Sequence, residues 1–117
     1  RIKSTIDARN SSISDSSSIL ANSEFFIGQV GFLMHLARAV NTRSIIIYGG
    51  REKAWQSGYP CNENLETNPS CSPCWQNNQC EYNRKCLSDI SVAQVLQAVD
   101  RIELRKPTEM ETEIVDI

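Results

Sequence analysis

Residues 25–48 contain the pattern that most restricts how this chain can fold. A short apolar run at 24–27 and a β-branched run at 44–48 flank an amphipathic segment, 31–40, whose apolar side chains recur at helical spacing. Asn41 follows that segment and is predicted to end the helix in the left-handed conformation. Two strands joined through one helix by short loops pair in parallel, with a right-handed crossover. The sequence therefore predicts an α/β fold built on a doubly wound parallel sheet.

Two glycines, Gly28 and Gly31, lie between the first strand and the helix and are predicted to form a sharp turn. Free N–H groups and the dipole at a helix N-terminus favour an anion. A doubly wound sheet binds its ligand beyond the carboxyl ends of its strands, where this turn lies. His35 follows Gly31 by about one helical turn and is a candidate donor to a phosphate or a sugar hydroxyl. The alternative is a half-buried histidine that bonds a nearby carbonyl. Our leading candidate for the anion is a nucleotide-sugar diphosphate.

Two further helices have recognisable starts. Ser12 and Asp15 form a capping-box-like start for a helix over 13–22, and Ser91 with Gln94 forms a capping box for the last helix. The side chains that the first helix would bury are Ile13, Leu20 and Ala21. The apolar stripe of the last helix consists of Val92, Val95, Leu96, Val99 and either Ile102 or Leu104.

Length and charge limit the classes of function. A chain of 117 residues is one domain at most, and a formal charge of −2 without a basic stripe argues against a nucleic-acid partner. No apolar run approaches the roughly 20 residues that span a bilayer, so no transmembrane segment is expected. The chain opens on Arg1, and we interpret it as a piece of a larger protein. We assign 1–106 to the folded domain and 107–117 to an acidic tail.

The loop after the second predicted strand contains basic and aromatic side chains. Arg51 and Lys53 are candidates to pair with a phosphate, and Trp55 and Tyr59 are candidates to stack on a ring. Because this loop follows the second parallel strand, we expect it at the same edge of the sheet as the glycine turn, which follows the first. The alternative is a solvated loop with one aromatic side chain in the core.

Four cysteines follow the spacing C-x₂-C-x₅-C-x₅-C, and no other periodicity is present between residues 51 and 89. The four are Cys71, Cys74, Cys80 and Cys86, within a cysteine-rich insertion at 61–87. Thiolates at such spacings can surround zinc or iron, and this is the interpretation that we favour. Two disulfides, or four reduced thiols, are the alternatives. A site closed by four sulfurs is structural, and Cys61 is interpreted as a spare thiol.

Several segments match one family of enzymes when they are taken together and in order. The shared features are a turn ending in glycine, a helix that begins Leu-x-His-Leu-Ala, a strand that ends in glycine, and a later Cys-x-Pro-Cys with further cysteines and an Ile-x-x-x-x-Val helix. They lie at 29–31, 33–37, 44–49, 71–74, 80–87 and 90–95. In this combination the chain resembles the family 9 glycosyltransferases, heptosyltransferase-like enzymes of bacterial surface-glycan assembly. The resemblance covers most of residues 7–100.

The resemblance implies part of the carboxyl-terminal, Rossmann-like domain of a GT-B enzyme, whose active site lies between two such domains. It implies that the amides of Gly31, Phe32 and Leu33, together with His35, contact the diphosphate of a nucleotide-sugar donor. The acceptor would be a bacterial glycan or protein, the sugar heptose-like or another, and the location cytoplasmic, including the inner membrane face. Cysteine-bound zinc or iron is implied for some relatives.

This chain departs from the family in two ways. The acidic residue of the turn, which contacts the donor sugar, is replaced by Gln29, which can bond hydroxyls but offers no negative charge. The amino-terminal domain, which holds the acceptor and the general base, is missing, and so are the opening strands of this domain. The piece alone is therefore not expected to catalyse transfer. A non-catalytic α/β module for binding or assembly, with a metal-bound cysteine loop, is the alternative function.

Overall fold

The computed structural model describes residues 4–74 and 80–104. The described helices and strands alternate along most of the chain, as expected for an α/β fold. In chain order they are α1 Ile13–Ala21, β1 Phe26–Gln29, α2 Phe32–Ala39, β2 Ser44–Ile47, α3 Ala54–Ser57, β3 Glu63–Leu65, α4 Lys85–Ser88 and α5 Val92–Leu104. The predicted acidic tail at 107–117 lies outside the described residues. None of the helices described is long and apolar enough to cross a membrane.

The three strands form one parallel sheet in the order β1-β2-β3. The predicted parallel pairing of the two flanking strands is confirmed, with Phe26 opposite Ser44 and Gln29 opposite Ile47. The predicted position of the first strand was wrong by two residues, because Gly28 and Gln29 pair with β2 and extend the strand. The turn into α2 is therefore shorter than predicted and consists of Val30 and Gly31.

Apolar side chains from the sheet form a separate cluster on each of its faces. On the face covered by α2, Met34, Ile46 and Tyr48 are fully buried and pack together. On the other face, Ile45 packs against Ala98 and Ile102 of α5. Alternate residues of β2 thus reach opposite clusters, as the alternation of a strand requires. The prediction that β2 is covered on both faces is confirmed.

The predicted helix starts are confirmed, but the predicted buried faces are only partly correct. The amide of Asp15 donates to Ser12 Oγ at 3.0 Å, and the amides of Ser91 and Gln94 exchange bonds with each other's side chains at 2.6 and 3.1 Å. Of the residues expected to be buried in α1, Leu20 is buried, whereas Ile13 and Ala21 are exposed. Among the predicted stripe of α5, Ile102 is buried, Val95 and Val99 are half-buried, and Val92, Leu96 and Leu104 are exposed.

The side chains of Thr42 and Arg43, in the connection from α2 to β2, donate hydrogen bonds to main-chain carbonyls near the ends of α1 and α5. Asn41 adopts φ 61°, which confirms the predicted left-handed residue after α2. Buried Thr42 donates its hydroxyl to the carbonyl of Leu20 at 2.6 Å. Arg43 donates to the carbonyls of Ile102 at 3.0 Å and Glu24 at 3.3 Å. These bonds hold the ends of α1 and α5 at the amino edge of the sheet.

Strand β3 is absent from the sequence prediction, which treated 51–89 as a loop with no regular structure. It is only three residues long and half-buried, with a Glu-Asn-Leu sequence that has no strand periodicity. Pairing of Ile45 with Glu63 and of Ile47 with Leu65 specifies it, so its cause is tertiary rather than local.

Candidate functional site

A cleft of about 430 Å³ lies at the carboxyl edge of β1 and β2. Its lining comes from the ends of both strands, from the loop after β2 and from α4. The lining residues are Gln29, Val30, Gly31, Ile47, Gly49, Arg51, Glu52 and Leu87. Three of the residues predicted for ligand binding, Gln29, Gly31 and Arg51, therefore lie in one cleft. This is the edge at which open parallel sheets bind ligands.

Gly31 enters the helix in a conformation that L side chains rarely adopt. Its φ of 156° and ψ of −163° belong to a region that is essentially restricted to glycine. A Cβ atom at this position would meet no atom of the described part of the chain within 4 Å. The requirement for glycine is therefore conformational, and the space in front of the turn is open.

No side chain among the residues that the structure describes caps the N-terminus of α2. The first amide of the helix that donates to a protein carbonyl is that of Met34, which bonds Gly31 at 3.2 Å. Across the described part of the chain, the amides of Gly31, Phe32 and Leu33 donate to no protein acceptor. Such amides carry partial positive charge at the start of a helix and are available to an anion.

Arg51 and Glu52 bring opposite charges to the mouth of the cleft. Arg51 is exposed, and no acceptor or carboxylate of residues 4–74 and 80–104 bonds its guanidinium. Glu52 is half-buried, and the hydroxyl of Ser57 donates to its Oε2 atom. The arrangement offers an exposed cation and a hydrogen-bonded carboxylate beside the helix N-terminus.

Other candidates in the loop after β2 are placed away from the cleft lining. Lys53 is buried and donates from Nζ to the carbonyl of Thr67 at 2.7 Å and to Asn68 Oδ1 at 3.0 Å. Its ammonium also lies 3.8 Å from a carboxylate oxygen of Glu66. Trp55 is 83% exposed, so it is not the core residue of this loop.

His35 lies on the exposed surface of α2 and does not line the cleft. Its Nδ1 atom is 2.7 Å from the hydroxyl of Tyr59, and the two rings meet edge to face. The partner is a phenol from the loop after α3, not the carbonyl that the alternative interpretation expected. The predicted contact of His35 with a diphosphate stays a prediction.

The cysteine-rich segment packs against the glycines after β2 and forms one wall of the cleft. The carbonyl of Gly50 accepts bonds from the Ser72 hydroxyl and the Cys74 amide, both at 3.1 Å. A Cβ atom on Gly50 would lie 3.3 Å from Cys86 Sγ, and one on Gly49 would touch Leu87. The segments that contain the second and fourth cysteines of the motif thus meet at the same glycine.

The thiols themselves do not form a metal centre among the residues described. Cys71, Cys74, Cys80 and Cys86 are free thiols, and no three histidine, cysteine, aspartate or glutamate side chains of that set converge on a common point. Cys80 Sγ instead accepts a bond from the Arg84 amide at 3.3 Å. The zinc or iron expectation therefore rests on the cysteine spacing and on the resemblance, and it stays a prediction.

Glu52, Gly49 and Leu87 line the cleft but were not singled out from the sequence. The available signal for Glu52 was its place about 20 residues after a glycine turn, directly beyond the second strand of a βαβ unit. Leu87 had no such signal, because the packing of the cysteine-rich segment onto Gly49 brings it to the cleft.

Comparison with protein-family models, with curated proteins and with solved structures finds no match for this chain. The fold therefore defines the class: an α/β protein with a small parallel sheet, consistent with part of a Rossmann-like domain.

Proposed function

We propose that this chain is the donor-binding part of a GT-B glycosyltransferase, which transfers a sugar from a nucleotide sugar to a bacterial surface glycan or protein. One observation carries the proposal: a cleft beyond two adjacent parallel strands is lined by the glycine turn that begins α2 and by Arg51, which no group of residues 4–74 and 80–104 bonds. These are the groups that a diphosphate requires. The resemblance to family 9 glycosyltransferases supplies the reaction class.

In this proposal, the amides of Gly31, Phe32 and Leu33 bind the diphosphate, and Arg51 pairs with it at the mouth of the cleft. Negative charge grows on the diphosphate as the sugar bond breaks. Fixed N–H dipoles stabilise that charge without reorganising, which lowers the barrier to transfer. The side-chain amide of Gln29 bonds hydroxyls of the sugar. The acceptor and the general base belong to the amino-terminal domain that the resemblance implies.

A non-catalytic binding module is the second candidate, and Gln29 favours it. The side chain is exposed at the end of β1 and is neutral where the family has an acid. Turnover separates the two candidates: full-length protein incubated with nucleotide sugars should release a nucleoside diphosphate in the presence of acceptor. Tight binding of the diphosphate with no turnover would favour the non-catalytic module.

The test of the binding site is calorimetric titration of the four ribonucleoside diphosphates into full-length protein. We expect at least one to bind, and we expect Gly31→Val and Arg51→Gln each to weaken it by about tenfold or more. The first variant distorts the turn that presents the amides, and the second removes the cation that pairs with the phosphate. Arg9→Gln is the matched control, since Arg9 is an exposed arginine that pairs with Asp7. If neither cleft variant changes the affinity, the phosphate site is wrong.

His35→Ala tests the predicted phosphate contact of His35 by itself. A loss of diphosphate affinity would support that contact. An unchanged affinity would leave His35 as the hydrogen-bond partner of Tyr59 alone.

The cysteine prediction is kept as a separate proposal: the four cysteines hold zinc or iron. Elemental analysis of protein purified without added metal tests it, with titration of free thiols in parallel. About one equivalent of metal supports the proposal. Negligible metal, with all five cysteines of this chain titrating as free thiols after unfolding, would contradict the metal proposal and leave the phosphate site unaffected.

A further inference from the structure

We infer that Glu52 recognises the ribose hydroxyls of the ligand, so that the cleft is built for a ribonucleotide. This inference rests on the proposed diphosphate site and adds the part of the ligand that lies beside it. Glu52 lines the same cleft as Gly31 and Arg51. It reaches the cleft from the loop after β2, whereas Gly31 reaches it from the end of β1.

A carboxylate in an anion-binding cleft needs an explanation, because it repels phosphate. An ionised carboxylate only accepts hydrogen bonds, and a diphosphate near neutral pH has almost none to donate. The carboxylate therefore contributes to binding only if the ligand presents hydroxyl donors next to its phosphates. Arg51, the adjacent residue, offsets the repulsion between Glu52 and the phosphates.

The carboxylate of Glu52 is fixed in place and has one oxygen available. The hydroxyl of Ser57 donates to Oε2, which restricts the rotation of the side chain. No donor among residues 4–74 and 80–104 bonds Oε1, and Glu52 forms no ion pair with them. Glu52 is also half-buried, so the bonds it makes to a ligand are stronger than bonds made in bulk water.

The position of Glu52 favours ribose over the transferred sugar. In dinucleotide-binding βαβ units an acidic residue about 20 positions after the glycine turn, beyond the second strand, bonds the ribose 2′-hydroxyl. Glu52 has that spacing from Gly31 and follows β2, the parallel neighbour of β1. Neighbouring strands are about 4.8 Å apart, which matches the short reach from the phosphates of a nucleotide to its own ribose.

The experiment compares each ribonucleoside diphosphate with its 2′-deoxy counterpart, and both with inorganic pyrophosphate, by calorimetry on the full-length protein. We expect the ribonucleotide to bind about tenfold more tightly than the deoxynucleotide, as one hydrogen bond to a charged group allows. In Glu52→Ala the ratio of the two dissociation constants should fall to about one, and pyrophosphate should bind at least as tightly as before. Glu24→Ala, at the opposite edge of the sheet, is the matched control and should keep the tenfold ratio.

The outcomes separate this inference from the proposed function. If pyrophosphate and the nucleotides bind, but Glu52→Ala leaves the ratio of the ribonucleotide and deoxynucleotide dissociation constants unchanged, the role of Glu52 is wrong and the phosphate site is retained. A ratio near one in the unmodified protein would lead to the same conclusion. If neither pyrophosphate nor any nucleotide binds, the proposed function and the inference fail together. Retained pyrophosphate binding also shows that Glu52→Ala is folded.

Discussion

The two edges of the parallel sheet use arginine in opposite ways. At the amino edge, the guanidinium of Arg43 donates to two main-chain carbonyls, and the hydroxyl of Thr42 donates to a third. At the carboxyl edge, Arg51 lines a cleft and bonds no acceptor in the described ranges 4–74 and 80–104. Polar groups that the fold satisfies internally stabilise it, whereas groups left open at a cleft are available to a ligand.

The same contrast occurs within three residues of the loop after β2. Arg51 is exposed at the cleft, while Lys53 is buried and bonded to the loop that follows β3. Both are cations, and both were candidates for phosphate binding. We therefore expect substitutions of groups that are bonded within the fold to lower stability. Substitutions of groups left open at the cleft should lower the affinity for ligand.

The largest expected loss of stability is at Lys53. Lys53→Met removes the donor to Thr67 and Asn68 and the positive charge near Glu66. We expect a loss of about 3 kcal/mol, because a half-buried carbonyl and carboxylate lose their partner. Urea unfolding measures it, and Arg51→Met is the matched control with a loss below about 0.5 kcal/mol. Equal losses of stability for the two variants would contradict the distinction between a cation at the cleft, Arg51, and one bonded within the fold, Lys53.

The second largest effect is expected at the glycine turn. Gly31→Ala forces a side chain into a glycine-only conformation, at a cost of about 2 kcal/mol in the free energy of unfolding. Gly49→Ala is the control, because its Cβ would only touch Leu87 at an ordinary 3.5 Å. We expect that control to change stability by less than about 0.5 kcal/mol. If Gly31→Ala leaves the free energy of unfolding unchanged, the turn adopts another conformation in solution.

A smaller loss is expected at the amino edge. Thr42→Val removes the hydroxyl that donates to Leu20, but the Leu20 carbonyl keeps its bond from the Ser23 amide. We expect a loss of about 1 kcal/mol in urea unfolding and no change in pyrophosphate affinity. A change in that affinity would contradict the assignment of the anion site to the other edge.

The smallest effect is expected in the alkaline pH dependence of stability. Burial raises the pKa of the Tyr48 phenol, the nearby Ser57 side chain opposes that shift, and the negative charges of Glu52 and Glu66 raise the pKa further. A raised pKa in the folded state means that the unfolded phenol ionises first. The contribution of Tyr48 to folding stability is therefore complete below the ordinary pKa of about 10. It is lost as the pH rises through the pKa of the folded state.

Tyr48→Phe measures this contribution, because phenylalanine has no proton to lose. Thermal unfolding between about pH 8 and pH 11 should show a shallower alkaline loss of stability in Tyr48→Phe than in the unmodified protein. Parallel pH profiles would mean that Tyr48 ionises alike in the folded and unfolded states.

Local signals in the sequence predicted the framework of the fold. The capping groups of Ser12 and Ser91, the left-handed Asn41 and the β-branched run of β2 each act over a few residues, so they are readable without tertiary information. The boundary of β1 was not readable, since pairing with Ile46 and Ile47 decides it.

Packing across the sheet decided what local signals could not. Arg51 and Lys53 look alike in sequence, and only the position of the loop after β3 buries one of them. Ile13 has the right spacing for a buried face of α1, but that helix packs on α2 alone among the element pairs in substantial contact. Of the predicted binding residues, those that follow the strand ends line the cleft, whereas Phe32, Leu33 and His35 of α2 do not.

The most direct measurement of the central claim is the movement of backbone amide signals in ¹⁵N-resolved NMR spectra as pyrophosphate is added to the protein. The amides of Gly31, Phe32 and Leu33 should shift progressively and saturate together, while those of Thr42 and Arg43 at the amino edge stay in place. Saturating shifts at the amino edge, or no shifts at Gly31, Phe32 and Leu33, would contradict an anion site at the start of α2.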